Sequence, residues 1–335
     1  GISFASFNCE GESGKIMIFL PGIGTFKENY YSHALSFSQY YSKIYLLDLP
    51  EQGSKGNWQI GVMSDQLSEF IKAVDNESVE KIDLFGHSAG SLAVLSFLVN
   101  FNSRIENIIL SEVGANNGVL NFQSIERELL EMGFGTHTEE MRKISKVVLY
   151  APPDSFNTVI KRKRLIFLGN RNRTYVKRLL NIMVNGPMLF LRFFSAIKYF
   201  RFRLDKSGKP QYFNLVVNNH VSFFSYIIRN RTIFEIFDAG SPELRRVIQN
   251  AFTGRDILIQ YGSIDWLLKP WLQKITEFEN NRRMTKQIVL VRHKLFGHML
   301  NKRLRPDINM NLQMITSKKV IDVSKSYILN KKIEE

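Results

Sequence analysis

Short apolar runs, each closed by a turn signal, recur along the chain: KIMIFLPG (15–22), KIYLLDLP (43–50), KIDLFGHS (81–88), IENIIL (105–110), KVVLYAPP (146–153), DILIQYGS (256–263) and QIVLVRH (287–293). Continuous rather than alternating apolar character predicts strands buried on both faces, as parallel sheets require. Stretches with helical apolar spacing lie between them, at 62–74, 91–101 and 124–132, and a last one at 311–331 closes the chain. Strand followed by helix, repeated, predicts an α/β fold with a mostly parallel, doubly wound sheet.

The alternation lapses between about 154 and 250, where basic and aromatic residues mix, as in MLFLRFFSAIKYFRFR (188–203). The expected organisation is therefore a core of 1–155 and 251–335 with an inserted segment, 156–250. On the widest reading the insertion begins as early as 113.

Composition narrows the classes. With 335 residues, 44% hydrophobic and 12% aromatic, the chain is no disordered or fibrous polymer. Its one cysteine, Cys9, excludes an intrachain disulfide framework and favours a reducing compartment. No apolar run approaches the ~18 residues of a membrane span. The opening GISFASFNCEGESG lacks the basic-then-apolar pattern of a secretion signal, so a cytoplasmic location is expected, with peripheral membrane contact as an extension. The formal charge of +14 is not evenly spread. The 49 residues of 161–209 hold 14 Lys or Arg against one acid, Asp205, a local balance of 14 − 1 = +13.

The strongest chemical signal is Gly86-His87-Ser88-Ala89-Gly90, between the run KIDLF and the apolar stretch SLAVLSFL. A serine on a tight strand-to-helix turn has its hydroxyl lifted clear of the sheet, at a helix N-terminus whose N–H groups can stabilise an oxyanion. Gly86 and Gly90, two residues either side, let neighbouring chain pass closely. The alternative is a serine N-cap in a glycine-rich turn.

With these residues the chain resembles the α/β-hydrolase superfamily, serine hydrolases with a G-x-S-x-G nucleophile elbow and an inserted cap. The resemblance implies further sites. Phe19-Leu20-Pro21-Gly22-Ile23-Gly24 matches the loop whose backbone supplies half of the oxyanion hole, with Pro21 where His is common; the implied donors are the Ile23 and Ala89 amides. The superfamily order of nucleophile, acid, then base is met by Ser88, by Asp265 in Gln260-Tyr261-Gly262-Ser263-Ile264-Asp265, and by His298 in Leu295-Phe296-Gly297-His298. Asp265 and His298 are 298 − 265 = 33 residues apart, room for one helix and one strand. Asp48, in Asp48-Leu49-Pro50, precedes the serine and is read as structural.

Each triad member has rivals: Glu112 and Asp154 for the acid, His293 and His87 for the base. His87 lies within the elbow, its side chain expected to point away from the pocket. His33, His137 and His220 have no partner pattern, and Cys9 has no companion histidine motif. No His-x-x-x-His pair, acidic ligand cluster, Gly-Lys-Ser/Thr or G-x-G-x-x-G pattern is present, so neither metal nor nucleotide cofactor is expected.

The span from Ser88 to Asp265, 177 residues, leaves an excess the size of a cap, whose Phe190, Phe193, Phe194, Tyr199 and Phe200 suit an apolar acyl pocket. For its charge three readings stand: a solvated surface, attraction to an anionic membrane, or docking of an acidic carrier protein presenting an acyl thioester. Nucleic acid is the least favoured partner, since no recognised module accompanies the patch. The expected function is hydrolysis of a carboxylic ester or thioester with an apolar portion, without a cofactor. The alternatives are an acyltransferase or carrier-protein thioesterase using the same triad, and a non-catalytic binding protein.

Overall fold

A computed structural model describes residues 1–23, 25–50, 54, 59–75, 78–115, 122–152, 255–262, 288–294, 296, 300 and 317–333. Seven strands form one sheet: β1 (Phe4–Asn8), β2 (Lys15–Leu20), β3 (Lys43–Leu47), β4 (Lys81–His87), β5 (Ile144–Tyr150), β6 (Asp256–Gly262) and β7 (Ile288–His293). Their order across the sheet is β1-β3-β2-β4-β5-β6-β7. All neighbours are parallel except the edge pair β1–β3. The helices are α1 (Tyr31–Leu35), α2 (Ile60–Val74), α3 (Ala89–Leu98), α4 (Ser103–Ala115), α5 (Phe122–Glu131) and α6 (Lys318–Ile328).

Strand pleating divides the core into two layers. Ile16, Ile18 and Leu20 of β2, with Ile82 and Leu84 of β4, meet Leu67, Phe70 and Ile71 of α2 and the apolar body of α3. Met17 and Phe19, with Phe85 and Val148, face the opposite layer, which holds Ala34 of α1 and Val320, Val323 and Tyr327 of α6. Every residue of α3 is buried, as befits a helix apolar all round at the centre of a domain.

One sequence expectation is corrected, and one strand had no counterpart among the expectations. IENIIL is not a strand but the middle of α4. Ile105 and Ile109, four apart, both point into the core, while Arg104 and Asn107 are exposed. Asn102 starts the helix by accepting the Ile105 N–H at 3.0 Å. The helix is also locked against α2 reciprocally. Glu106 Oε2 accepts the Gly61 N–H at 2.7 Å, and Asp65 Oδ2 accepts the Ser103 N–H at 3.1 Å. Each helix thus satisfies an orphan donor in the other's first turn. β1 was not expected, because its half-exposed pattern shows no continuous apolar run.

The last helix is fastened at both ends of the sheet. Across its middle, the Gln260 amide donates to Ser324 Oγ at 2.6 Å and to the Val320 carbonyl at 3.2 Å. Tyr150 Oη lies 2.7 Å from Ser324 Oγ, and His293 Nε2 donates to Gln260 Oε1 at 2.7 Å. At the strands' N-terminal ends, Lys146 Nζ donates to the Tyr327 carbonyl at 2.6 Å and lies 4.8 Å above its ring. Beside it, buried Asp83 accepts the Tyr41 hydroxyl at 2.9 Å and the Lys146 N–H at 3.0 Å, with Lys15 Nζ at 3.6 Å. Burial raises the Asp83 pKa, and Lys15 opposes that rise. These polar groups support the sheet from the end opposite the serine.

The expected insertion, 156–250, lies outside the described residues, as do 311–316 of the expected last helix. Among the described residues, no helix is long and apolar enough to cross a membrane.

Candidate active site

Strand order locates the site. From β2 the chain crosses to β3 on one side, and β4 then returns to pair with β2 on the other. In an open parallel sheet such a reversal leaves a crevice at the carboxyl ends of the two strands, where ligands bind. The segments leaving β2 and β4 there are Pro21-Gly22-Ile23 and Ser88.

Ser88 occupies the turn between β4 and α3 with φ 50° and ψ −116°. Positive φ in a non-glycine residue costs of order 1–3 kcal/mol, and surrounding contacts must hold it. Its own N–H donates to the Tyr150 carbonyl at 2.9 Å, and its carbonyl accepts the Ser91 N–H at 2.9 Å. Ser91 Oγ donates to the Gly86 carbonyl at 2.8 Å. The flanking glycines are sterically required. A β-carbon at Gly86 would lie 2.7 Å from the Ser91 nitrogen, and one at Gly90 would lie 2.3 Å from the Leu20 carbonyl oxygen.

The loop after β2 lies directly on this turn. A β-carbon at Gly22 would come within 2.8 Å of His87 Nδ1 and 3.2 Å of Ser88 Cβ. Ile23 follows Gly22, and Ala89 is the first residue of α3, where helical N–H groups have no intrahelical partner. Among the described residues, neither the Ile23 nor the Ala89 amide donates a hydrogen bond. The Ile23 and Ala89 amides therefore flank the turn that carries the hydroxyl.

A single 3-10 turn, Lys27–Tyr30, braces the loop. At its start, the Lys27 N–H donates to Asp48 Oδ1 at 2.9 Å and its ammonium pairs with the same carboxylate. Burial works to lower the Lys27 pKa; the hydrogen bond and charge of Asp48 overcome it, and the ammonium is held above its ordinary value. Ser3 Oγ donates to Asp48 Oδ2 at 2.8 Å, and Ser54 Oγ donates to the Asp48 carbonyl at 2.7 Å. Asp48 is thus committed to tying the loop after β2 to the end of β3, the structural role expected of it. At the other end of the turn, Tyr30 Oη reaches the elbow itself, 2.8 Å from His87 Nδ1. No sequence signal marked Tyr30 or Thr25.

Asp265 and His298 lie outside the described residues. The chain leaves β6 at Gly262, three residues before Asp265, and leaves β7 at His293, five before His298. Both strands run parallel to β4, so both exits are at the sheet edge that carries Ser88.

The rivals are placed as follows. Glu112 lies inside α4, not in a loop after a strand, which removes the reason for proposing it as the acid. Asp154 is outside the described residues. His293 is fully buried and its Nε2–H is spent on Gln260; burial, with Lys319 a smaller influence, lowers its pKa to about 4. His33 sits among the Phe19, Phe37 and Tyr150 rings, with centroids 5.1–5.6 Å away. His137 Nδ1 is 3.1 Å from an Arg255 guanidinium nitrogen. His220 is outside the described residues. Burial raises the Cys9 pKa, which disfavours a reactive thiolate there.

No family model and no curated protein matches the chain. Solved structures do. MGS-M2, an alpha/beta hydrolase enzyme from a Medee basin deep-sea metagenome library, is 12% identical, with TM-score 0.54 over 100% of this chain and 96% of that one. MenH from S. aureus is 14% identical, with TM-score 0.52 over 98% of each chain. A lipase-esterase related protein from Clostridium acetobutylicum is 14% identical, with TM-score 0.50 over 97% of this chain and 99% of that one. This chain has the α/β-hydrolase fold. In an α/β-hydrolase sheet the turn after β4 is where a nucleophile elbow belongs, with oxyanion donors from the following residue and from the facing loop. Here that turn has Ser88 at its apex, Ala89 next, and Pro21-Gly22-Ile23 opposite. A fold carries many chemistries, so the activity must be argued from these residues.

Proposed function

We propose that the protein is a serine hydrolase that cleaves a carboxylic ester or thioester with an apolar acyl portion. The observation that carries this reading is Ser88 itself, held at φ 50° at the start of α3 and facing a glycine loop across the sheet's switch point. Strain of this kind persists only where packing enforces it, and a plain N-cap serine needs none.

In the proposed reaction, Ser88 Oγ attacks the substrate carbonyl while His298 takes its proton; Asp265 orients the imidazole and stabilises its cation. The carbonyl oxygen gains negative charge against the Ile23 and Ala89 amides. Collapse expels the alcohol or thiol, which receives the proton from His298. Water then attacks the acyl-serine with the same base, releasing the carboxylic acid and free Ser88. The atoms balance without metal or cofactor. For the 156–250 segment the proposal is a cap that supplies apolar pocket wall and, through 161–209, docks on an anionic surface.

A fluorophosphonate probe tests the nucleophile. It labels the wild-type protein and fails on Ser88→Ala; an unlabelled wild type overturns the proposal. A panel of p-nitrophenyl esters and acyl thioesters of graded length then reads the substrate class, and added alcohol or amine acceptors divert product if the acyl group is transferred rather than hydrolysed.

A further inference from the structure

We propose that the Tyr30 hydroxyl is a positioning group for the oxyanion hole, acting through Gly22 and through His87 in the Nδ1–H tautomer. This inference rests on the catalytic reading above and assigns a role to residues which that reading leaves idle.

The geometry joins four polar groups. Gly22 N–H donates to Tyr30 Oη at 3.2 Å, Thr25 Oγ1 donates to the Gly22 carbonyl at 2.7 Å, Thr25 Oγ1 lies 3.0 Å from Tyr30 Oη, and His87 Nδ1 lies 2.8 Å from Tyr30 Oη. Tyr30 and His87 are buried, at 0% and 1% exposure. A phenol has one proton to give and two lone pairs to receive. The Gly22 carbonyl, which also receives the Thr25 N–H at 3.3 Å, can only accept, and at 2.7 Å it is the nearer of the Thr25 hydroxyl's two partners, so the Thr25 proton is assigned there. The Tyr30–Thr25 contact then requires the Tyr30 proton. With that assignment a lone pair of Tyr30 remains for His87, and His87 Nδ1 is the donor. Every hydrogen and lone pair on Tyr30 is then used, as burial demands. Burial also pushes the Tyr30 pKa well up, so the phenol keeps its proton throughout the working range.

The consequence is mechanical. Gly22 precedes Ile23, one proposed oxyanion donor, and His87 precedes Ser88, the proposed nucleophile. One hydroxyl therefore links the backbone of the donor loop to the residue before the nucleophile. With the Gly22 N–H turned toward Tyr30, the next amide along, Ile23, is the one left for substrate. Misplacement of reacting groups by ~1 Å costs about 10²-fold in rate, and a lost oxyanion donor costs about 10²–10³-fold. Because the link fixes a group needed only when negative charge develops, its loss falls on kcat and leaves KM nearly unchanged.

The test compares wild type, Tyr30→Phe, Thr25→Val, His87→Leu and His87→Asn, using the full chain and the best ester from the panel. Expected for Tyr30→Phe is a kcat lower by about 10–100-fold, with KM within about twofold and affinity for a trifluoromethyl ketone, which forms a tetrahedral adduct on serine, lowered in step with kcat. Thr25→Val gives a smaller loss in the same direction. His87→Leu behaves as Tyr30→Phe, whereas His87→Asn, whose side-chain amide keeps a donor near the Nδ1 position, recovers most of the loss. In wild type, the 15N spectrum of His87 shows a proton on Nδ1. A Tyr30→Phe kcat within twofold of wild type overturns the inference, as does an Nε2–H tautomer or equal loss in both His87 variants. If Tyr30→Phe fails to fold, the His87 pair and the wild-type spectrum decide. A wild type that the fluorophosphonate labels but whose Tyr30→Phe variant is unimpaired sinks this inference alone; an unlabelled wild type overturns the catalytic reading and this role with it.

Discussion

Gly90 meets the backbone of β2 so closely that a β-carbon there would stand 2.3 Å from the Leu20 carbonyl oxygen and 2.5 Å from that of Pro21. Gly22, one residue beyond Pro21, meets instead the His87 ring and Ser88 Cβ. The two contacts fail differently. Backbone oxygens within a sheet cannot yield, so Gly90→Ala is expected to cost ~3 kcal/mol or more in denaturant unfolding. At Gly22 the neighbour is a ring that can shift. Gly22→Ala is expected to cost ~1–2 kcal/mol while lowering kcat by at least about tenfold, since the ring it displaces belongs to the elbow. Equal stability loss in both would show that the two contacts are not distinct in kind.

Strain at Ser88 yields a second expectation. Ser88→Ala removes the hydroxyl but keeps a β-carbon at φ 50°; Ser88→Gly removes both. Activity should fall about 10³-fold or more in each. Glycine tolerates positive φ, so the glycine variant should be more stable than the alanine variant by ~1 kcal/mol. Equal melting temperatures would argue that the turn is not strained.

Asp265 is expected to orient His298. Replacing Asp265 with Asn should lower kcat by about 10⁴-fold with little change in melting temperature, whereas Glu112→Gln should leave the rate within about twofold. A reversal of that ranking would move the acid elsewhere and leave the nucleophile in place.

His293 makes the stability depend on pH. Its folded-state pKa is lowered to about 4, against an ordinary 6.5. Between those values the unfolded chain binds a proton that the folded chain does not. The stabilisation is therefore complete above pH 6.5 and drains away as pH falls toward 4. One proton corresponds to a slope of at most about 1.4 kcal/mol per pH unit within that window. In His293→Gln, urea unfolding measured from pH 7.5 to 4.5 should show a slope smaller by up to that amount. Identical slopes would exclude His293 as a contributor.

The +13 charge of 161–209 bears on association rather than chemistry. Screening sets in at a Debye length of about 10 Å at 0.1 M salt. Binding to anionic vesicles, or to an acidic carrier protein, is expected to weaken steeply with salt while hydrolysis of a small neutral ester stays constant. Changing Lys161, Arg162, Lys163 and Arg164 to Gln should reproduce the high-salt behaviour at low salt. If neither vesicles nor carrier bind at low salt, the segment is a solvated surface.

The sequence by itself determined the parallel sheet and the place of the serine. Six of the seven apolar runs are strands of the sheet; β2, β4 and β5 are buried at nearly every position, so their apolar character shows without reference to any partner, while β7 carries the same kind of run half-buried at the sheet edge. The elbow was legible for the same local reason: Gly86, Ser88 and Gly90 stand within five residues, between a strand and a helix. IENIIL was not legible. A six-residue apolar run satisfies either period, and only the Asn102 cap and the exchange of Glu106 and Asp65 between α4 and α2 decide for helix. Nor was β1, whose half-exposed residues gain their identity from pairing with β3. The same holds for the braces of the candidate site. Tyr30 and His87 are 57 residues apart, as are no two positions that a helical or strand period relates, and Lys27 and Asp48 are 21 apart. They meet because the chain reverses direction across the sheet between β3 and β4, which brings the ends of β2, β3 and β4 to one edge. Local patterning chose the elements; the crossover, which no local spacing encodes, chose which side chains hold the site.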